Sequence, residues 1–273
     1  MQYFIKLFIG LIASISISYI AYKKHALTLS GAIGAIILGT GIFFGSGLYG
    51  SFLIIIFFGT STIFTFIKRN YKKEIEKHYE KSGGRDIYQV FANGGVGLLY
   101  SLLYFSTSHP MYLILIGASF AASNADTWAS ELGVLSESSP ISLRTFKKVS
   151  KGTSGAVSLF GMLMSILGSL LLAFSAIITM ILFQLNLYPF SHVQTFIFIF
   201  LGGILGSLID SILGATLQGI YYNESLKKET EKPFYNGKPN TLIRGCKLFN
   251  NDFVNFISIL LSTVVVFLLI YIT

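Results

Sequence analysis

Apolar runs of close to 20 residues recur along the whole 273-residue chain, with short polar segments between them. A run of this length can cross the hydrocarbon core of a bilayer as an α-helix. The pattern therefore predicts an all-α fold, a polytopic membrane helix bundle with about eight spans. The predicted spans are about 3–22, 29–46, 49–67, 89–107, 110–131, 153–183, 194–219 and 252–272.

Basic residues divide the loops between these spans into two classes. Four loops hold 19 of the 20 Lys and Arg residues, and the loops near Gly47, His109 and Pro189 hold none. The four basic loops are about 22–28, 68–88, 134–152 and 220–251. Because positively charged loops remain in the cytoplasm, alternation over eight helices predicts that all four are cytoplasmic. Both termini are then expected outside, in a multi-pass protein of the cell membrane.

Composition supports the same fold class. Only 12% of the residues are charged, whereas soluble domains contain about 25%, so we expect one integral membrane domain over residues 1–273. The first apolar run lacks a cleavage site and is expected to remain as a helix. Cys246 is the only cysteine, which excludes an internal disulfide and a cysteine-based zinc site. The net charge of +8 is explained by topology, and no nucleic-acid partner is expected.

Three acidic residues lie within or at the end of apolar spans: Asp126, Glu131 and Asp210. An acid inside a membrane span costs about 2.5–3.5 kcal/mol on insertion scales and usually has a function, so these three are the predicted catalytic residues. The alternative is a structural role as partners of Lys or Arg. Carboxylate oxygens suit Mg²⁺, which binds few protein groups and keeps its waters and substrate phosphates. Asp126 and Asp210 are therefore the predicted metal ligands.

The two aspartates share the pattern S-x-x-D-[TS], at 123–127 and at 207–211. Both predicted helices run from outside to inside, and the helix before each begins with small residues. The pattern indicates a possible parallel internal repeat of a helix pair. A chance match of so short a pattern is the alternative.

Polar and basic side chains near the same membrane face complete the candidate site. Cations, amides and flexible glycines at helix starts favour the binding of phosphate. The predicted substrate- and phosphate-binding residues are Arg85, Asn93, Asn124, Lys148, Lys151, Gly152, Thr153 and Arg244. Each cluster alone is also compatible with an ordinary positive loop. Together with the carboxylates, they predict a phosphoryl- or nucleotidyl-transfer site.

Three motifs, in this order, resemble the integral membrane family called domain of unknown function ninety-two. They are Gly84-Arg85 followed by Gln89-Val90-x-Ala92-Asn93-Gly94-Gly95, then Asn124-Ala125-Asp126-Thr127-Trp128-Ala129-Ser130-Glu131-Leu132-Gly133, and then Gly152-Thr153-x-Gly155-x-Val157-Ser158-x-x-Gly161. That family includes the plant phytyl-phosphate kinase of tocopherol synthesis. The resemblance implies a membrane enzyme that acts on an isoprenoid lipid.

A more distant similarity connects Asp126-x-x-Ala129-Ser130-x-x-Gly133 and Lys148-x-x-x-Gly152-Thr153 to the dolichol and phytol kinases. Those kinases use CTP, and they carry Glu at the position of Lys151. By this resemblance, Asp126 and Glu131 would act at the metal–phosphate centre. Lys148, Gly152 and Thr153 would hold the phosphates of the nucleotide.

The leading prediction is a membrane-embedded phosphotransferase that acts on a polyprenyl or isoprenoid alcohol phosphate. Its expected partners are a membrane lipid and a nucleoside triphosphate, CTP or ATP, with Mg²⁺ as cofactor. The alternative is a transporter or lipid flippase in which Asp126 and Asp210 carry protons or cations. A non-catalytic membrane scaffold is a third interpretation, and the intramembrane acids argue against it.

Overall fold

The computed structural model describes residues 1–67 and 83–272. The helices of the described residues are α1 (Gln2–Lys23), α2 (Leu29–Phe66), α3 (Ile87–Thr107), α4 (Met111–Gly133), α5 (Leu159–Leu182), α6 (His192–Thr216) and α7 (Asn251–Ile272). Five of them, α1, α2, α5, α6 and α7, are long and apolar enough to cross a membrane. The predicted all-α helix bundle is confirmed, whereas the count of eight spans stays a prediction.

Helix α2 is interrupted at Gly47, whose φ of 64° and ψ of −144° are not helical. Glycine adopts a positive φ without the steric cost that a Cβ would impose. The half before Gly47 runs in the same direction as α3, because Gly34 packs on Ile87 and Gly41 packs on Leu98. The first half of α2 and α3 therefore lie side by side, both starting from the same end of the bundle.

The second half of α2 runs in the same direction as α4. The Tyr49 hydroxyl donates to the Leu113 carbonyl at 2.8 Å, and Thr65 donates to Glu131 at 2.7 Å. Helices α3 and α4 are antiparallel, with position 93 beside 123 and position 97 beside 120. The two halves of α2 therefore run in opposite directions, and the turn lies where the sequence separates the second and third predicted spans.

Helix α4 occupies the centre of the bundle. Thirteen consecutive residues, Leu113 to Ala125, are buried, and most of these side chains are apolar or small. Large buried residues from α2, α3, α5 and α6 pack around α4 in one apolar cluster. This core fills the half of the bundle where α4 begins, so the polar end of α4 is held by a rigid support.

Helices α4 and α6 are parallel and touch along a seam of small residues. Gly202 packs on Ala118, and Gly206 packs on Ala122. Small residues of this kind let membrane helices approach closely. The residue numbers of the paired positions differ by 84 in both contacts, 118 with 202 and 122 with 206. One helical turn further along, the same offset pairs Asp126 with Asp210. The shared S-x-x-D pattern thus corresponds to two parallel helices in contact.

The described parts of the four basic loops meet at one end of the bundle. The Thr28 amide donates to the Arg85 carbonyl at 3.0 Å, which joins the first loop to the second. Arg244, from the last loop, donates to the Ser154 carbonyl at 3.4 Å. Six basic residues of the second loop lie outside the described residues, namely Lys68, Arg69, Lys72, Lys73, Lys77 and Lys81. The orientation of this end toward the cytoplasm stays a prediction.

Short strands cover the same end. Strands β1 (Ile141–Ser142) and β2 (Ala156–Val157) pair in the loop between α4 and α5. Between α6 and α7, the strands are β3 (Ile220–Asn223), β4 (Lys228–Thr230), β5 (Phe234–Tyr235), β6 (Lys238–Pro239) and β7 (Thr241–Arg244). Strands β4, β3 and β7 form an antiparallel sheet in that order, and β5 pairs with β6.

The sheet between α6 and α7 was expected to be a loop. Asn236 and Gly237 connect β5 and β6 with φ values of 47° and 77°. An Asn-Gly pair with positive φ at both residues is a strong sequence signal for a tight β-hairpin. The predicted sixth span was also too long at its start, because α5 begins at Leu159 and the preceding residues form β2. The assignment of residues 1–273 to one integral membrane domain stays a prediction.

Candidate functional site

A cavity of about 710 Å³ lies at the end of the bundle where the described loops meet. Four helices, α2, α3, α5 and α7, begin at this end, and α2, whose two halves run in opposite directions, also ends there together with α4 and α6. The first turns of α3, α5 and α7, the last turns of α2, α4 and α6, and residues 151–158 contribute to its wall. Backbone N–H groups in the first turns of the helices that begin here can donate to an anion in the cavity.

Asp126 and Asp210 face this cavity from the parallel helices α4 and α6. Each lies about 9–11 Å before the end of its helix, at 1.5 Å per residue. The seam between α4 and α6 places the two carboxyl groups close enough to interact electrostatically. Two carboxylates in one partly buried site repel each other, so a cation between them favours the ionised form of both.

The two aspartates have different hydrogen-bond partners. The Oδ2 atom of Asp210 accepts a hydrogen bond from the Ser258 hydroxyl at 3.2 Å. It accepts a second from the side-chain nitrogen of Asn255 at 3.0 Å, when the amide is oriented so that this nitrogen faces Asp210. In the described part of the chain, no donor is assigned to the carboxylate of Asp126. Helix α7 therefore fixes the orientation of Asp210, whereas Asp126 is available to a ligand in the cavity.

Arg85 and Glu131 form a second charged part of the cavity wall. The Arg85 guanidinium lies over the Phe58 ring, 5.5 Å from its centroid, and donates to Thr62 at 3.1 Å. Glu131 accepts a hydrogen bond from Thr65. Burial lowers the pKa of Arg85, and the charge of Glu131 acts in the opposite direction. An arginine remains protonated in proteins, so Arg85 presents a positive charge to the cavity.

The segment before α5 brings backbone and hydroxyl groups to the cavity. Gly152 and Gly155 have φ values of 81° and 71°, and a Cβ at Gly155 would collide with the backbone of Ala215 at the end of α6. Thr153 caps this turn by donating to the Ser150 carbonyl at 2.8 Å. Glycine is thus required for the close approach of this segment to α6, which closes one side of the cavity.

The structure brings most of the predicted site residues together. Eight of them line the cavity: Arg85, Asn93, Asp126, Glu131, Lys151, Gly152, Thr153 and Asp210. They come from α3, α4, α6 and the segments before α3 and α5. The convergence of carboxylates and cations expected from the sequence is present, and the role of each residue stays a prediction.

Asn124 was expected at the phosphate site, but it does not line the cavity. Its side chain is fully buried, accepts a bond from Thr60 at 3.1 Å and donates to the Gly168 carbonyl at 2.8 Å. It therefore links α4 to α2 and α5. The physical reason is helix geometry, because residues two apart on a helix point to different sides, and Asp126 already points into the cavity.

Lys148 and Arg244 also lie outside the cavity wall. Lys148 is exposed, and its backbone pairs with Ile141 in an isolated antiparallel bridge in the loop between α4 and α5. Arg244, at the end of β7, holds the Ser154 carbonyl and so supports the segment that follows Gly152. Burial lowers the pKa of Arg244, and its nearest charges are those of Glu229, Arg144 and Glu231.

Sequence reasoning missed several polar residues of the wall. Asp252 is buried in the first turn of α7 and lines the cavity with Asn251 and Asn255. Gln218 and Glu231 reach the cavity from the sheet between α6 and α7. The Asn251-Asp252-x-x-Asn255 spacing, which puts polar residues on one face at the start of an apolar helix, was the available signal for the α7 group.

The carboxylates of the cavity fit one class of metal. In residues 1–67 and 83–272, no three His, Cys, Asp or Glu side chains converge to bind an ion by themselves. Mg²⁺ is typically held by one or two carboxylates together with waters and substrate phosphates. Asp126, without an assigned donor, and Asp210 beside it match this ligand set. A metal that needs a complete protein cage does not fit.

Comparisons with known proteins agree with this architecture. The sequence model of the family Integral membrane protein DUF92 matches residues 12–263. Protein PGR of Arabidopsis thaliana is 32% identical over 282 residues, which is 94% of each chain. An uncharacterized membrane protein of Methanocaldococcus jannaschii is 32% identical over 228 residues, or 82% of this chain and 89% of its own.

A further plant protein, Protein VTE6, chloroplastic, of Arabidopsis thaliana, is 29% identical over 248 residues, or 89% of this chain and 65% of its own. No solved structure matches the chain. The family match covers most of the sequence, including all the cavity-lining segments. The chain therefore belongs to the integral membrane family DUF92 and is a multi-pass membrane protein.

Proposed function

We propose that this protein is a membrane-embedded phosphotransferase. It transfers the γ-phosphoryl group of a cytosolic nucleoside triphosphate, CTP or ATP, to the phosphate of a polyprenyl or isoprenoid alcohol. A new P–O–P bond forms on the lipid phosphate, the bond between the β and γ phosphates breaks, and a nucleoside diphosphate leaves. The family includes the plant phytyl-phosphate kinase, which catalyses a reaction of this class.

The observation that carries the proposal is the pair Asp126 and Asp210 in one cavity. Phosphoryl transfer needs positioning and charge stabilisation more than covalent chemistry from the protein. Mg²⁺, when bound by these carboxylates, would neutralise charge that develops on the phosphates. Asp210 is fixed by Ser258 and Asn255, so this chain supplies one rigid and one accessible carboxylate.

The cationic and backbone groups of the wall are suited to the phosphates themselves. Arg85 is held in place by Phe58 and Thr62, and it can grip phosphate oxygens with two parallel N–H groups. Lys151, Gly152 and Thr153 lie across the cavity at the approach to α5. The nucleotide would enter from the side of the basic loops, which we propose to be cytoplasmic, with both termini outside the cell membrane.

The test uses purified protein with geranylgeranyl or phytyl phosphate, CTP or ATP, and Mg²⁺. We expect the lipid diphosphate as product with the wild type. Asp126→Asn should lower turnover by roughly 100-fold or more, the loss typical for one electrostatic group at a transition state. The matched control is Glu137→Gln, an exposed carboxylate in the loop after α4, which should turn over like the wild type.

Absence of transfer to every acceptor in this panel would refute the enzyme assignment. Normal turnover by a folded Asp126→Asn variant would instead remove the metal role. Labelled solute or lipid that crosses proteoliposomes without nucleotide would indicate the transporter alternative. The cavity argues against that alternative because its lining residues all come from one end of the described bundle, and apolar core fills the other end.

A further inference from the structure

Helices α5 and α6 pack closely in one half of the bundle and separate in the other. Ser169 donates to the Phe200 carbonyl at 2.7 Å, and Gly203 contacts Ser169 so closely that a Cβ would not fit. The rings of Phe174 and Phe196, with centroids 4.8 Å apart, extend this contact toward the α5–α6 loop. From Ser169 toward the start of α5, the facing residues line the cavity instead.

We call this separation the α5–α6 cleft and define it by the cavity-lining residues of the two helices. They are Gly161, Met162, Ser165 and Ile166 on α5, and Ile204, Ser207, Leu208, Asp210 and Ser211 on α6. Met162, Ile166 and Leu208 are 52%, 38% and 48% exposed. Large apolar side chains that stay exposed in a cavity wall between two membrane helices fit contact with hydrocarbon, so the cleft is suited as a sideways path between the cavity and the lipid.

The depth of the cleft matches one leaflet. From Ser158, which caps α5, to the closed contact at Ser169 the helix rises about 16 Å at 1.5 Å per residue. The hydrocarbon core of a bilayer is about 30 Å thick, so this is about half of it. The cleft therefore lies beside the hydrocarbon chains of the leaflet at the cavity end.

Polarity changes along the cleft in the way that an amphiphile requires. The inner side of the cavity carries Asp126, Asp210 and Arg85, which suit a phosphate with a metal ion. The side of the cavity formed by α5 and α6 carries Met162, Ile166 and Leu208, whose side chains are apolar. A single molecule with a phosphate head and a hydrocarbon chain would satisfy both regions at once.

We propose that the α5–α6 cleft holds the hydrocarbon chain of the lipid phosphate, which reaches the cavity sideways from one leaflet. The identity of the head group rests on the function proposed above, whereas the position of the chain rests on the cleft itself. A lipid bound in this way keeps its chain in the bilayer, so the protein need not extract it into water.

Photolabelling tests the position of the chain without requiring catalysis. Geranylgeranyl phosphate with a diazirine near the end of its chain is bound to the wild-type protein in detergent and irradiated. We expect labelled peptides that contain Met162, Ile166 or Leu208, and we expect excess unlabelled geranylgeranyl phosphate to suppress them. Competed labelling confined to α1 or α7 would overturn the proposal.

The second test measures KM for two lipid phosphates whose hydrocarbon chains differ in length. Ile166→Trp and Leu208→Trp should narrow the cleft and raise the KM for geranylgeranyl phosphate roughly tenfold, the effect of about two CH₂ groups losing their burial. The same variants should raise the KM for dimethylallyl phosphate by a clearly smaller factor, because its short chain needs little of the cleft. Ile178→Trp, at an exposed position of α5 outside the cavity wall, is the matched control.

The outcomes separate this inference from the proposed function. Wild-type protein that transfers phosphate to no acceptor, but is labelled at the cleft, would refute the enzyme while supporting the lipid site. An active enzyme in which both Trp variants treat long and short acceptors like the wild type would refute the cleft alone. If the Trp variants lost activity equally with the long and the short acceptor, the cleft proposal would also be overturned, because such a loss indicates damage to the cavity.

Discussion

Replacing Gly202 by alanine tests whether the seam between α4 and α6 sets the separation of the two cavity carboxylates. A Cβ at position 202 would lie 2.8 Å from the Cβ of Ala118 and 3.0 Å from Cγ2 of Val266. Carbon atoms in contact lie about 3.5–4.0 Å apart, so α4 and α6 must separate by about 1 Å. Because both helices are continuous from the seam to the cavity, Asp126 and Asp210 should move apart with them.

The size of the effect follows from this displacement. Overpacking of a tight contact costs about 1–3 kcal/mol of stability. A misplacement of about 1 Å at reacting groups can cost about 100-fold in rate. Alanine by itself favours a helix over glycine by up to about 1 kcal/mol, so a net loss of stability would show that the seam contact dominates. Gly59→Ala is the control, since a Cβ there meets nothing within 4 Å.

The assay combines thermal unfolding in detergent with the phosphotransfer reaction. Gly202→Ala should lower both stability and turnover, whereas Gly59→Ala should leave turnover unchanged. Adding Ala118→Gly removes the Cβ on α4 that the new Cβ on α6 would meet. The Cβ at position 202 then lies 3.4 Å from the Cα at position 118. We expect the double variant to recover the part of the loss that comes from the contact with Ala118, with a coupling of about 0.5–3 kcal/mol, while the 3.0 Å contact with Val266 remains. Full stability and turnover in Gly202→Ala alone would refute the argument.

Three further changes test other parts of the structure. Asn255→Leu removes one hydrogen-bond donor to Asp210. The loss of a charged hydrogen bond, about 1.5 kcal/mol, should lower turnover roughly tenfold and leave the KM for the lipid unchanged. A tenfold rise in that KM would contradict the prediction. Arg85→Lys keeps the positive charge but cannot form a bidentate hydrogen bond to phosphate. The KM for the phosphate substrate should therefore rise roughly tenfold, while the variant still folds. Gly237→Ala places a side chain at a φ of 77° and should destabilise the β5–β6 hairpin by about 1–2 kcal/mol. Amide hydrogen exchange should therefore become faster in this hairpin, with the exchange of β3 as the reference.

Much of the architecture could be predicted because the bilayer imposes strong constraints. Apolar length identified the helices, and the distribution of Lys and Arg identified the loops that meet at one end. Asp126 and Asp210 could be found because charged residues are costly in apolar spans. Their closeness was encoded in the repeated S-x-x-D pattern, since parallel helices in contact keep a constant offset along their length.

Other features depended on contacts that the sequence pattern leaves undetermined. Asn124 is two residues from Asp126 and therefore faces α2 and α5, where it serves as a structural link. Lys148 lies in the cationic segment before α5, but it is exposed, pairs with Ile141 and does not line the cavity. Asp252 directly follows a polar, basic loop, and the Asn251-Asp252-x-x-Asn255 spacing was the one sign that it differs from the solvated acids of that loop. Its burial comes from the packing of α7 against the cavity.

The different surroundings of the two carboxylates suggest how one cavity divides its tasks. Asp210 accepts bonds from two side chains of α7, which stabilise its charged form and fix its direction before any ligand arrives. Asp126 has no assigned donor in the described residues, so its charge is compensated only when a cation enters. Asn at position 210 keeps an oxygen that can accept, but it loses the negative charge to which Ser258 and Asn255 donate. Removing the carboxylate of Asp126 disturbs no hydrogen bond of this part of the chain. Asp126→Asn should therefore fold at least as stably as the wild type while losing cation-dependent activity, and Asp210→Asn should lose both stability and activity. Equal thermal stability of the two variants would show that the donors from α7 contribute nothing to the fold.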